Sequence, residues 1–440
     1  MLRKLLLPAS ILLLLSNFAL AQDFSIDAQL KPRYEHRNGF GALRPSNGDL
    51  DRAADFVSQR ARLRFLFNDK SEKFKMGFSV QDVRTWGEIN HFANKDNGNF
   101  HIHEAYGELL FTEAFSAKVG RQELVYDDHR IFGSVDWAQQ ARSHDALVLR
   151  YEKSFKLHAG FSIATTGESN FYSQNLANSY KAMQYLWFHK KFEEFKLSAL
   201  FMNLGLEQTD VAQPNRNDFQ TVYQQTLGAH GEWRPGKFGL NASVYYQFGK
   251  TGVGANEQTI GAYNGLLELL FNPNDKLGFI LGGEILSGTA YDADAGDNNS
   301  FNPYFGTNHK FNGHMDYFYV GGRNPNGGLT DIYIGATYKV NDQWNFYGRL
   351  HQFMSAAKIT DNNGAEVDSN LGTEFDLIIN HKFNKYITIQ GGWSGMFATE
   401  SMQYATAANN GGDHTKFNNW GWMGLVIKPT LFSTKKEAKN

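Results

Sequence analysis

The 440-residue chain has no cysteine, so neither disulfides nor thiolate-bound metals contribute to it, although an exported compartment would permit disulfides. Proline is scarce, at nine residues. Beyond the N-terminus no run approaches the roughly 18 consecutive apolar residues that a spanning helix needs, so a membrane location would have to be reached by strands. A dominant charge sign is also missing: 43 Lys and Arg against 45 Asp and Glu give a formal net charge of -2. That excludes a global attraction for nucleic acid or acidic polymers and leaves any charge selectivity to local arrangement. No phosphate-binding glycine loop or dinucleotide fingerprint stands in a strand-to-helix context.

What is abundant points to a sheet. The 36 Phe, 20 Tyr and 8 Trp, with 43 Gly, suit a large β-structure with aromatic girdles better than a helical enzyme. Runs of about ten residues alternate apolar and polar, as a strand between lipid and a polar lumen requires. Phe74, Met76, Phe78 and Val80 oppose Lys75, Gly77, Ser79 and Gln81; Phe238, Leu240, Ala242, Val244, Tyr246 and Phe248 form the longest such row. Short turns at 68–72, 112–114, 152–154, 193–194, 234–236, 272–275, 341–342 and 384–385 take turns with much longer loops. The expected fold is therefore all-β: a transmembrane antiparallel β-barrel of about eighteen strands, with short periplasmic turns and long extracellular loops. A secreted β-sandwich or propeller also alternates, but has no reason to sort loop length by parity.

The N-terminus agrees with export. Arg3 and Lys4 precede an apolar stretch, and Ala19-Leu20-Ala21 offers a small-x-small cleavage site, so residues 1–21 read as a signal peptide. The expected organisation is a signal peptide (1–21), a single outer-membrane barrel (22–434) and a short polar tail (435–440), located in the cell outer membrane. Expected partners are outer-membrane lipid, the barrel-assembly machinery, an anionic cargo and a periplasmic partner, but no nucleic acid.

The second strand carries the strongest site signal. Arg60, Arg62 and Arg64 share one face, with Ala61, Leu63 and Phe65 on the other. Exposure to lipid would cost roughly 2 to 4 kcal/mol per arginine near the midplane, so this face is expected to look into the lumen. Such a ladder could attract carboxylates or phosphates, or it could simply pair with Glu35, Glu104 or Glu108 on neighbouring strands. The stretch 120–146 does not alternate cleanly and places Arg121, Asp127, Asp128, Arg130, Asp136, Arg142 and Asp145 around Trp137. It suits a loop folded into the mouth as a constriction of both charge signs; the alternative is an exposed outer loop.

These residues carry a resemblance. Arg60-Ala-Arg-Leu63, His103-Glu-Ala-Tyr106, Gly120-Arg-Gln122 and the run 130–145 resemble the N-terminal half of the alginate-export family of outer-membrane porins. The run 301–318, which reads FNPYFGTNHKFNGHMDYF, resembles a stretch common in Bacteroidetes-type members of that family. The resemblance implies a monomeric eighteen-stranded barrel with an arginine-rich conduit for an anionic polysaccharide. Carried over by position, it adds Arg121, Arg130, Arg142 and Asp145 to Arg60, Arg62 and Arg64 as conduit candidates. One departure is that Pro429 and Phe432 follow the last expected strand, where many such proteins end on an aromatic residue.

Other motifs are weaker. Asp292, Asp294 and Asp297 supply oxygen ligands for a calcium loop but lack the bidentate glutamate; no other cofactor is expected. His101 and His103 share a strand face without zinc-site spacing. Ser143-His144-Asp145 has the residue types of a hydrolytic triad, yet neighbours on a strand point to opposite faces, so no enzyme is expected. The leading expectation is a passive porin for anionic saccharides or other organic anions. The alternative is a non-transporting barrel that binds glycan or a partner through long loops such as 287–328.

Overall fold

The computed structural model describes residues 22–89, 99–171, 173, 179–209, 219–325 and 327–435. The expected signal peptide and most of the polar tail lie outside the described residues. The strands, in chain order, are β1 (Gln22–Asn38), β2 (Ala54–Asp69), β3 (Phe74–Thr85), β4 (Phe100–Leu110), β5 (Phe115–Gln122), β6 (His144–Glu152), β7 (Lys156–Ile163), β8 (Ala182–Lys191), β9 (Phe195–Thr209) and β10 (Phe219–Trp233). They continue with β11 (Phe238–Thr251), β12 (Gln258–Phe271), β13 (Leu277–Leu286), β14 (Asp297–Asn298), β15 (Leu329–Lys339), β16 (Trp344–Met354), β17 (Asn370–Lys382), β18 (Ile387–Ala398), β19 (Asn418–Ile427) and β20 (Thr430–Ser433). Of these twenty strands, β14 is a short parallel rung on β12 inside a loop, and β20 pairs with β1 below β19. The remaining eighteen form a closed antiparallel barrel, sealed where β1 pairs with both β2 and β19. Among the described residues closure leaves no barrel strand with a free edge.

Short turns form because their side chains cap their own backbone. Asn341 Oδ1 accepts from the amides of Gln343 and Trp344, each at 2.9 Å, and Asn384 Oδ1 accepts from Tyr386 and Ile387 at 2.8 and 2.9 Å. These are Asx turns, which reverse the chain in few residues. Exposed aromatic residues flank the turns at the same end: Phe111, Phe115, Phe192, Trp233, Phe238, Phe383 and Tyr386. Their position matches a girdle at the membrane–water interface. The final strand also departs from the expected end at 428. After Pro429 it resumes as β20, so that Phe432 packs near Phe24 with ring centroids 6.1 Å apart. Proline cannot donate to the ladder, which explains the interruption.

Outward positions are apolar and exposed, such as Leu63, Phe201, Val244, Ile334 and Met423. Inward positions are polar or aromatic. Glycine has a specific use there: Gly77, Gly160, Gly228, Gly282 and Gly392 stand directly opposite Tyr106, Tyr185, Tyr245, Tyr333 and Trp422 on the neighbouring strand. Each ring lies over its glycine where a Cβ would collide with it, the cross-strand rescue that lets a large side chain lie flat on the wall. The apolar core is inside the barrel, where Phe132, Phe301, Met315, Tyr317, Phe318 and Trp420 are buried between loops and wall.

Candidate functional site in the barrel lumen

Two long connections fold inward and meet. The loop 123–143 and the loop 287–328 form a parallel bridge at Phe132 and Phe305, whose rings stack at 5.7 Å. Among the described residues, nine non-glycine residues have positive φ, and eight lie in these two loops: Asp127, His129, Val135, Ala141, Tyr304, Asn312, Asp316 and Tyr319. Such conformations cost energy and persist where surroundings over-determine them. Here the determinants are bonds to the wall around much of the circumference. Trp187 Nε1 donates to Asp127 at 3.0 Å, Gln247 Nε2 donates to Asn302 O at 2.7 Å, the Met315 amide donates to Glu374 Oε1 at 2.9 Å, and Tyr317 donates to Gly39 O at 2.5 Å. The expectation that 287–328 is a free outer loop is therefore corrected for its middle. Residues 301–319 are mostly buried, because their aromatic side chains fill the lumen rather than face water.

The arginines of β2 lie on the inner wall. Register pairs Arg60 with Lys31 on β1, halfway along both strands. Arg60 is fully buried and donates to Asp136 Oδ1 at 2.5 Å, Gln29 Oε1 at 2.8 Å and Gln139 O at 3.1 Å. Lys31 Nζ bonds Asp136 O at 2.6 Å and approaches its carboxylate at 3.3 Å. Burial opposes ionisation of Asp136, but Lys31 and Arg60 hold its carboxyl below the ordinary aspartate value. Arg62 donates to Gln81 at 2.7 Å and stands 3.8 Å from Glu123, with its Nη2 buried and without a hydrogen-bond partner among the described residues. Arg64 is 44% exposed and 3.6 Å from Glu104. The bulge opposite Ser79–Val80 turns both His103 and Glu104 inward. The ladder thus has carboxylate partners, bound more loosely toward the periplasmic end.

The remaining candidates divide. Arg130 crosses the lumen to form a buried ion pair with Glu284 of β13 and lies over Phe311 at 3.7 Å. Arg142 donates to Gly306 O at 3.1 Å and has no carboxylate partner among the described residues; burial lowers its pKa to about 10, which leaves it charged. Arg121 and Asp145 are a correction. They are register partners and pair with each other at 3.0 Å, on the outward face that Val119 and Leu147 share. Strand parity places them on the barrel exterior, with Gln122 and His144 inward instead.

The far wall is acidic, a feature the sequence reading missed. Glu284, Asp331, Glu374 and Asp376 are buried on β13, β15 and β17, at polar positions of alternating strands where they could have been read. His351 satisfies Asp331 at 2.9 Å, and His314 of the inward loop comes within 3.8 Å of Asp376. Burial lowers the His314 pKa to about 4, against the pull of Asp376. Beneath the loops lies a chamber of about 620 Å³ roofed by Trp137, His309 and Phe311. In the outer loops, Asp292 pairs with Lys358 at 3.2 Å, and no group of three or more His, Asp or Glu among the described residues is placed to hold a metal ion. The calcium reading gains no support from this arrangement.

A sequence profile of the alginate export family matches residues 22–411. The chain belongs to the alginate export family. No curated protein matches it. Among solved structures, Acinetobacter baumannii OccAB4 is similar at TM-score 0.60 and 13% identity, over 94% of this chain and 100% of that one. Pseudomonas aeruginosa OpdK, in a structure with vanillate, gives TM-score 0.59 and 10% identity over 92% and 98%. A BenF-like porin from Pseudomonas fluorescens Pf-5 gives 0.59 and 11% over 93% and 100%. At these identities the structures establish a shared porin-type barrel fold. The family match together with this fold supports an outer-membrane channel protein.

Proposed function

We propose that the barrel is a passive conduit for anionic saccharides or other organic anions, which travel along the β1–β2 wall. The observation that carries the reading is the inner arginine series at 60, 62 and 64, set beside Lys31 and Arg33 and faced by acidic strands across the lumen. Anions would be steered toward one wall, while the nearby Asp136, Glu104 and Glu123 keep each contact weak enough for release. The two inward loops divide the lumen, which favours short chains or single acids over a bulky polymer. Neither direction nor energy input is specified by the wall itself; movement follows the gradient.

The test is conductance of the purified protein in planar bilayers, with a salt gradient to read ion preference and added polyuronate to read block. The expected result is anion-selective current that polyuronate blocks and that loses selectivity when Arg60, Arg62 and Arg64 are replaced by glutamine. A second reading is a sealed barrel that binds glycan without transport, favoured by the apolar packing of Phe132 on Phe305 between the loops. Absence of current with retained glycan binding would replace the first reading by the second.

A further inference from the structure

We propose that the outer face of β4–β7 is a contact surface for a second copy of this chain, with Arg121 and Asp145 at its centre. The inference is independent of what the barrel conducts. From Phe115, in the aromatic girdle beside the short turns, to Arg121, a strand tilted by about 40° climbs roughly 15 Å, and the same holds on β6 from Tyr151 to Asp145. The apolar band of such barrels is about 25 Å tall, and the outward row from Phe238 to Phe248 on β11 fills that height. β5 and β6 therefore place a charged pair inside the band, on the lipid side of the wall.

Lipid tails are a poor cover for this pair. Arg121 Nη1 donates to Asp145 Oδ2 at 3.0 Å, and the two side chains stay 39% and 69% exposed. Hydrocarbon offers no partner to exposed donors or to a carboxylate oxygen, and an anionic headgroup would meet Asp145, the more exposed of the two. A second copy offers both signs at once. Arg121 and Asp145 are register partners on adjacent strands, so they lie side by side at nearly one depth, about 5 Å apart along the wall. Two copies inserted in the same direction are related by an axis along the membrane normal. When that axis passes between β5 and β6, Arg121 of one protomer faces Asp145 of its partner, and the reverse. This is the self-complementary pattern of a two-fold interface, and it closes four charges into a square of alternating sign.

The surrounding side chains permit the approach. Ala105, Gly107, Ala117 and Ala159 face outward around Val119 and Leu147. Small residues let two walls come close, as they do between membrane helices, where packing rather than water drives association. On β11 and β12, by contrast, the outward positions carry Val244, Tyr246, Phe248, Tyr263, Leu267 and Leu269, the bulk expected of a face that meets lipid.

The chain has no cysteine, so a single introduced thiol reports its own contact. The experiment oxidises the full chain carrying Val119→Cys with copper phenanthroline in outer-membrane vesicles, with Val244→Cys on β11 as the comparison. Val119→Cys is expected to give at least tenfold more disulfide-linked dimer. Adding Arg121→Asp sets four carboxylates against one another and should reduce the yield at least fivefold. Adding Asp145→Arg as well swaps the pair, rebuilds the square about the same axis and should return the yield to within twofold. Heat-modifiable migration in gels reports that each variant barrel is folded. Cross-linking at Val119 no stronger than at Val244 overturns the proposal and leaves lipid as the cover of the pair. A yield that Arg121→Asp leaves unchanged, or that the swap fails to restore in a folded barrel, overturns it as well.

Discussion

Replacing Glu284 by glutamine tests whether the inward loop is clamped to the far wall by charge. Arg130 and Glu284 have side chains only 1% and 2% exposed. Among the described residues the Arg130 Nε and Nη1 already lack hydrogen-bond partners, and beyond Glu284 its Nη2 reaches only Asn312 Oδ1 at 3.3 Å. The glutamine keeps the shape but removes the counter-ion, and its amide would also face the donors of Asn264 and Asn312, which bond Glu284 at 2.8 and 2.9 Å. Stranding a buried charge costs about 3 to 5 kcal/mol, and every 1.4 kcal/mol is about tenfold in an equilibrium. Hydrogen exchange in micelles should therefore accelerate by roughly two to three and a half decades in peptides covering 126–136 and 305–318. Strand peptides should be unaffected, because the barrel ladders do not depend on the pair. Adding Arg130→Met removes the stranded charge and should restore at least half of the lost protection on a logarithmic scale. Loop protection unchanged within threefold in the single variant, or a loss spread equally over strands and loops, would refute the reasoning.

Other outcomes follow from the same geometry. Asp136→Asn removes a carboxylate from between Lys31 and Arg60; a unit charge about 7 Å from a passing ion is worth about 0.6 kcal/mol in a water-like dielectric, with opposite sign for anion and cation, so the anion-over-cation permeability ratio should rise roughly sevenfold, read as a shift in reversal potential. Arg121→Gln combined with Asp145→Asn should leave that potential unchanged, since both face outward; a loss of selectivity like that of the β2 variants would contradict the assigned facing. Asp51 in the first extracellular loop accepts two bonds from Arg44, both at 2.8 Å, and pairs with Lys416 of the last loop at 3.1 Å. The Arg44 bonds, then Lys416, outweigh burial and lower its pKa from 3.8 to about 2. A depressed carboxylate contributes stability above its ordinary value and loses it as pH falls through the folded value. The separation of spin labels at Gly48 and Asn410 should thus hold from pH 7 to about 4 and widen only toward pH 2; widening already at pH 6 would show that another group links the loops.

The barrel was legible because lipid and lumen impose a two-residue period on every staff of the wall. All eighteen alternating segments emerged as strands, with ends displaced by a few residues where hairpins extend past the apolar band, as β9 does to Thr209 and β1 to Asn38. Arg60, Arg62 and Arg64 could be assigned to one face for the same reason: a charged row on a lipid-facing wall is too costly. Parity failed for Arg121 and Asp145 because the reading gathered charges by proximity in sequence within 120–146 without extending the alternation of β5 and β6 through them. It also passed over Glu284, Asp331, Glu374 and Asp376, each a lone acid on a different strand.

The amino-acid sequence by itself determined the eighteen strands, most of their inside and outside faces and the parity of loops, since each is a local consequence of period, turn chemistry and the cost of charge in lipid. Only the tertiary structure decided where the long loops go and whom the charges meet. Arg130 finds Glu284, Asp136 settles on Arg60, and residues 301–319 turn into the lumen because the closed barrel brings distant walls within reach of a loop whose aromatic side chains are more stable buried than in water. Among the described residues Arg349 is left without a counter-ion by the same assembly, as Tyr333 and Asn241 occupy Glu268.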